Sequence, residues 1–148
     1  MEPYTELNCA FSLRRDTPDA VIDILLFMTG QDEQEPQQLP VDAFFETARW
    51  RRMLNGESVE AEAEAYSNAA LELSETSGRY RVTIRCDFRN YSIEIARFIS
   101  WITPYIFADK GDVIGYTRSA EVEPITILYY PDRTVTRQPA FETWSESK

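Results

Sequence analysis

Arg79-Tyr80-Arg81-Val82-Thr83-Ile84-Arg85-Cys86-Asp87-Phe88-Arg89 carries the cleanest alternation in the chain. Tyr80, Val82, Ile84, Cys86 and Phe88 fall on one side of an extended backbone, and Arg79, Arg81, Arg85 and Arg89 on the other. That is the period of a strand with one buried and one wet face. Just before it, Ala70-Leu71-Glu72-Leu73 is a second extended run, and Thr76-Ser77-Gly78 has turn composition, so the segment reads as a hairpin. Leu7, Cys9, Phe11 and Leu13 alternate with Asn8, Ala10, Ser12 and Arg14 in the same way and predict an N-terminal strand.

Helices are expected on either side of the hairpin. In Asp16-Thr17-Pro18-Asp19, Thr17 is the expected cap, Pro18 the first helical residue and Asp19 a favourable charge at the positive end of the helix dipole. Val21 to Met28 is apolar almost all round, so this helix should lie between a sheet and a further covering layer, with Gly30 as its stop. Asn90-Tyr91-Ser92 supplies caps for a second helix. It has Ile95, Phe98, Ile99 and Ile102 on one face, Glu94 and Arg97 on the opposite side, and Pro104 at its end. Two more strands are expected at Val113 to Arg118 and Ile125 to Tyr130, joined by an acidic turn at Ala120 to Pro124, and residues 136–148 read as a tail.

Residues 31–65 are a different material. Nine acids against three arginines, with Pro36 and Pro40, mark an acidic insertion. Within it Val41 to Leu54 carries Phe44, Phe45, Ala48, Trp50, Met53 and Leu54, enough to dock an inserted helix. Asn55-Gly56 marks a turn, and the Glu-Ala stretch from Val59 to Ala65 is expected to be solvated. The order is strand, helix, inserted helix, hairpin, helix, hairpin. It predicts one α+β domain over residues 1–148, with an open antiparallel or mixed sheet, helices on one face and a ferredoxin-like order.

Composition narrows the chemistry. The chain has 148 residues, a formal charge of −10 and no histidine. The missing imidazole excludes Ser-His and Cys-His nucleophiles and the common zinc sites. The charge opposes binding to nucleic acid and to anionic membranes, so neither is expected as a partner. With 43% hydrophobic and 13% aromatic residues the chain should nevertheless fold. Nothing in it reads as a leader or a membrane span, which makes a cytoplasmic location the expectation. Cys9 and Cys86 share the inward parity of their strands and are expected as buried, reduced thiols.

No motif for cradling phosphate is present, and no cofactor or metal is expected. Asp109, Asp112, Glu121, Glu123 and Asp132 are loop carboxylates without the spacing of a cation loop. Arg79, Arg81, Arg85 and Arg89 give an otherwise acidic chain one basic face. Cross-strand pairing with Glu72 and Glu75 is the ordinary reading of that face, and anion binding the alternative. Tyr105, Tyr116, Tyr129 and Tyr130 read chiefly as packing groups, with Tyr129 and Tyr130 facing opposite ways.

Asp16-Thr17-Pro18 with Val21-Ile22, Arg49-Trp50 with Met53-Leu54, Gly78-Arg79-Tyr80 with Ile84-Arg85-Cys86, and Ile114-Gly115-Tyr116 with Pro124 and Tyr129-Tyr130 together form a pattern. It resembles small uncharacterised bacterial cytosolic α+β proteins, some of them similar to immunity proteins of contact-delivered toxins. The motifs of that resemblance describe a fold and no chemistry, and it transfers no catalytic residue. The leading expectation is a protein-binding module of immunity or inhibitor type, meeting a basic protein through Glu33, Glu35, Glu57, Glu60, Glu62 and Glu64. The alternative is a small-molecule binder or histidine-free enzyme with a pocket of Trp50, Trp101, Tyr116, Tyr129 and Arg85. A homodimer through a sheet face or edge is compatible with both.

Overall fold

A computed structural model describes residues 4–46, 48–54, 67–89, 92–119, 122–138 and 143–147. The first alternating run forms β1 (Tyr4–Leu13), with Leu7, Cys9, Phe11 and Leu13 buried. It leads into α1 (Asp19–Met28). The expected Thr17 cap is not made. Pro18 occupies the N-cap position with no side-chain acceptor, and the Thr17 hydroxyl donates to the Arg14 carbonyl at 2.6 Å, tightening the preceding turn instead. The other end closes as expected. Gly30 has φ +81°, its N–H reaches the Phe27 carbonyl at 3.0 Å, and the Gln31 N–H reaches the Leu26 carbonyl at 2.9 Å. This is the paired closure that a left-handed residue permits after a helix.

Residues 41–54 depart from the expected helix. They form two 3-10 turns, Ala43–Glu46 and Ala48–Arg52. At about 100° per residue, one continuous α-helix would point Phe44, Phe45 and Ala48 roughly half a turn away from Trp50, Met53 and Leu54. Two short turns can be aimed separately. Phe44, Trp50, Met53 and Leu54 are all buried, and Val41 is left in solvent. Phe45 sits between two indoles, 5.1 Å from the ring of Trp50 and 5.1 Å from that of Trp101, edge-on to both. Phe27 of α1 meets Trp50 at 5.8 Å, so this segment is the covering layer that the apolar girdle of α1 requires.

The hairpin is β2 (Ser67–Leu73) and β3 (Tyr80–Arg89), turning through Gly78 at φ +73°. Next comes α2 (Ser92–Ile102), with Ile95, Phe98, Ile99 and Ile102 buried as the periodicity requires. Glu94 was expected on the wet side and is only 7% exposed. The 3-10 segment lies over that flank, and Arg49 reaches the Glu94 carboxylate at 3.6 Å. Arg97 donates to the Ala43 carbonyl at 3.3 Å. After α2, Pro104 lies in a 3-10 turn, Thr103–Tyr105.

Five strands complete the sheet: β4 (Ile106–Phe107), β5 (Val113–Ser119), β6 (Val122–Tyr130), β7 (Arg133–Gln138) and β8 (Thr143–Ser147). The expected tail therefore contributes the end of β7 and all of β8. Their backbones pair at the growing edge of the sheet, which needs no apolar alternation. Every pairing is antiparallel, in the order β2-β3-β1-β5-β6-β7-β8, with β4 beside β1. A ferredoxin-like sheet has four strands, and this one runs on through β6 to β8. The inward residues of β1 and β3 join α1, α2 and the 3-10 segment in one core. Glu6, Arg81, Thr83 and Arg85 lie on the opposite, open face. The fold is α+β, with an open antiparallel sheet covered by helices on one face.

Candidate functional site

Two consecutive elements, α1 and the loop after it, enclose an open-sided concavity of about 440 Å³. Ala20 and Asp23 line it from one face of α1, three residues apart. Asp32, Gln34, Glu35, Pro36, Gln37 and Gln38 complete the wall. The closure at Gly30 turns the chain back along the helix and so faces loop to helix. The Asp32 carboxylate accepts the Gln34 N–H at 3.0 Å, which folds the loop over its own acid. Arg51 forks onto Glu35 with bonds of 2.8 and 2.9 Å. This pair holds the Glu35 carboxyl below its ordinary value. The same guanidinium lies 5.0 Å from the centroid of the Trp50 ring, so the loop is fastened to the core through Arg51.

The concavity lies in an acidic field. Residues 16–48 contain eight aspartates and glutamates and no lysine or arginine. Asp23 and Asp32 are exposed, and no ion pair neutralises either among the described residues. A surface of this kind can receive a guanidinium or ammonium group and offers amide acceptors and donors from Gln34, Gln37 and Gln38 around it.

Of the acids expected to form the contact, Glu35 lines the concavity and Glu33 is exposed on the same loop. Glu57, Glu60, Glu62 and Glu64 lie outside the described residues, as do Asn55-Gly56, the Glu-Ala stretch, Asn90-Tyr91 and Ala120-Glu121. Asp23 and Asp32 were not singled out from sequence. The signal available for Asp23 was its position as the one charge in the apolar run from Val21 to Met28.

The five residues expected to line an aromatic pocket are not brought together. Trp50, Trp101 and Tyr129 are buried in the core, while Tyr116 is exposed and Arg85 lies on the open face of the sheet. The strand alternation that puts Cys86 inward puts Arg85 outward, so one pocket cannot collect both sets.

On the open face Arg81 faces Glu72 as the cross-strand reading expects, while Arg79 and Arg85 meet other groups. Arg85 and Arg118 converge on Glu6 of β1, at 3.5 and 2.7 Å. Burial pushes the Glu6 carboxyl up, but hydrogen bonding from Asn8 and Arg118 and the charges of Arg118 and Arg85 outweigh it and leave the group below its ordinary value. Arg81 stands opposite Glu72 in register, and the Arg79 guanidinium lies 3.7 Å over the ring of Phe107. In the core, Cys9 and Cys86 are buried, and the Cys86 thiol donates to the Leu54 carbonyl at 3.2 Å. Among the described residues no three Cys, Asp or Glu side chains are grouped to hold a metal ion, and no helix is long and apolar enough to cross a membrane. Asp112 serves its own loop by accepting the Asp109 N–H at 2.9 Å.

Comparison with known proteins gives no relative. No protein family, no curated protein and no solved structure matches the chain.

Proposed function

We propose that this chain is a non-enzymatic protein-binding module of immunity or inhibitor type, which receives a basic segment of a partner protein in the concavity between α1 and residues 32–38. The observation that carries this reading is that Asp23 and Asp32, exposed and in no ion pair among the described residues, line one open hollow beside Glu35, which Arg51 already holds. Complementary charge of this kind accelerates encounter and selects partners, and a partner's lysine or arginine would find carboxylates and amides already in place. Relative to the sequence reading, the contact moves toward α1 and gains Asp23 and Asp32.

The test uses a fluorescently labelled peptide rich in lysine and arginine, with binding read by anisotropy at low and then raised salt. Asp23→Lys with Asp32→Lys should weaken binding by at least about tenfold. Glu72→Lys with Glu75→Lys changes the net charge equally from two exposed positions on the hairpin, and should weaken it far less. Equal loss from the two double variants would remove the concavity from the proposal and leave only a general charge effect.

A further inference from the structure

We infer that Gln31 closes the outer edge of β2 by standing in for a missing strand, and that β2, once bared, pairs with β2 of a second copy of this chain. The phase of β2 is set at its end, where the Ser74 N–H donates to the Arg79 carbonyl on the inner side. Ala69, Leu71 and Leu73 therefore point their backbone groups outward, away from β3. On that outer side Leu71 is fully satisfied by one side chain. Its N–H reaches Gln31 Oε1 at 2.7 Å, and its carbonyl accepts from Gln31 Nε2 at 3.0 Å.

A carboxamide presents one donor and one acceptor in the plane of the group, the same pair that a peptide unit presents. Gln31 thus completes one rung of a ladder where no strand of the described residues lies. Its position is built in. The backbone N–H of Gln31 is held by the closure of α1, and the Thr29 hydroxyl lies 2.8 Å from Oε1. The pairing with Leu71 orients the amide, because turning it over would set its NH2 group against the Leu71 N–H.

The strand so guarded has few other defences. Ser67-Asn68-Ala69-Ala70-Leu71-Glu72-Leu73 contains no proline, no lysine and a single charge, and Leu73 is 55% exposed. Such an edge is a template for another strand of its own kind. A second copy is the occupant that this composition fits, since two copies paired antiparallel about Leu71 set the one charge, Glu72, opposite Ala70 and bring no like charges face to face.

The test compares the full chain with Gln31→Met, which keeps the bulk and removes both hydrogen bonds. Light scattering across a concentration series should show the variant's mass rising toward twice that of the wild type. Adding Ala69→Pro, which removes an outward N–H that β3 does not use, should return it to the wild-type mass. Hydrogen exchange on the wild-type protein gives an independent reading, in which the Leu71 amide should exchange about tenfold more slowly than those of Ala69 and Leu73. The inference is overturned if Gln31→Met keeps the wild-type mass with unchanged near-UV dichroism. Association that Ala69→Pro does not reverse overturns it, and so does a Leu71 amide as fast as its two neighbours.

Discussion

Gly115 shows how narrowly one position can be determined. It pairs with Cys9 beside a break in the β5–β6 register, and a Cβ there would run into the Asn8 carbonyl oxygen and come within 2.7 Å of the Cys9 sulfur and 2.9 Å of its Cα. Two of these three atoms belong to the backbone of β1, an interior strand, and have nowhere to go. Gly111 is required for a different reason, since its φ is +89° and nothing lies within 4 Å of a Cβ placed on it. Alanine at either position should cost about 1–3 kcal/mol in urea unfolding, by overpacking at 115 and by backbone strain at 111. Asparagine separates the two causes. It tolerates positive φ and should recover part of the loss at 111, while at 115 it should be worse than alanine.

Burial, with a smaller contribution from a charge on Cys86, pushes the Cys9 thiol up to about 12. A folded thiol that holds its proton more tightly than the unfolded one adds stability that is complete below the unfolded value near 9 and is lost as the pH rises from there toward 12. Cys9→Ala should therefore flatten the alkaline limb of a stability–pH curve, and in the native wild-type protein Cys9 should resist alkylation at pH 8. Rapid labelling of Cys9 without unfolding would contradict its burial.

At the scale of elements, the 3-10 segment is the part most dependent on one side chain. Trp50 is fully buried, meets Phe27 at a tilt and Phe45 edge-on, and lies under Arg51. Trp50→Ala should cost about 3–5 kcal/mol. It should also loosen the loop that Arg51 ties down, seen as a lower near-UV signal and new dye binding, with the β-sheet signal retained. Loss of the sheet signal in step with the cover would mean that the two form a single cooperative unit. The same segment marks where sequence reading stops. β1, β3 and α2 were legible because each has one buried and one wet face, and alternation or helical periodicity records that directly. Residues 43–54 carry the right apolar content, but their spacing does not say that they form 3-10 turns in place of one α-helix. Glu94 was misplaced for the same cause, since its cover comes from that segment and not from its own helix. In β7, Arg133-Thr134-Val135-Thr136-Arg137-Gln138 holds one apolar residue, so its pairing with β6 leaves no periodic trace.

Across the whole molecule, charge and sheet are segregated. The acids of residues 16–48 surround α1 and its following loop, while Arg79, Arg81, Arg85 and Arg118 stand on the uncovered side of the sheet among Glu6, Glu72 and Asp87. The excess of acid in the insertion was legible as composition. The hollow was not, because Asp23 and Asp32 belong to different elements and only the turn at Gly30 brings their backbones alongside. The aromatic pocket failed for the complementary reason that residues of like chemistry were placed by strand parity on opposite faces.

The strand order has a consequence for how the protein is made. β1 is synthesised before the other described strands and lies inside the sheet, with partners in β3, β4 and β5 that end as late as Ser119. On a ribosome adding about 5–20 residues per second, roughly 5–20 s separate the emergence of Leu13 from that of its last partner. For that interval Leu7, Phe11 and Leu13 form an apolar ribbon with both edges unclaimed. A nascent chain of this kind is a natural client for a holding chaperone, and its yield in the cell should depend on translation speed more than the stability of the finished fold would indicate.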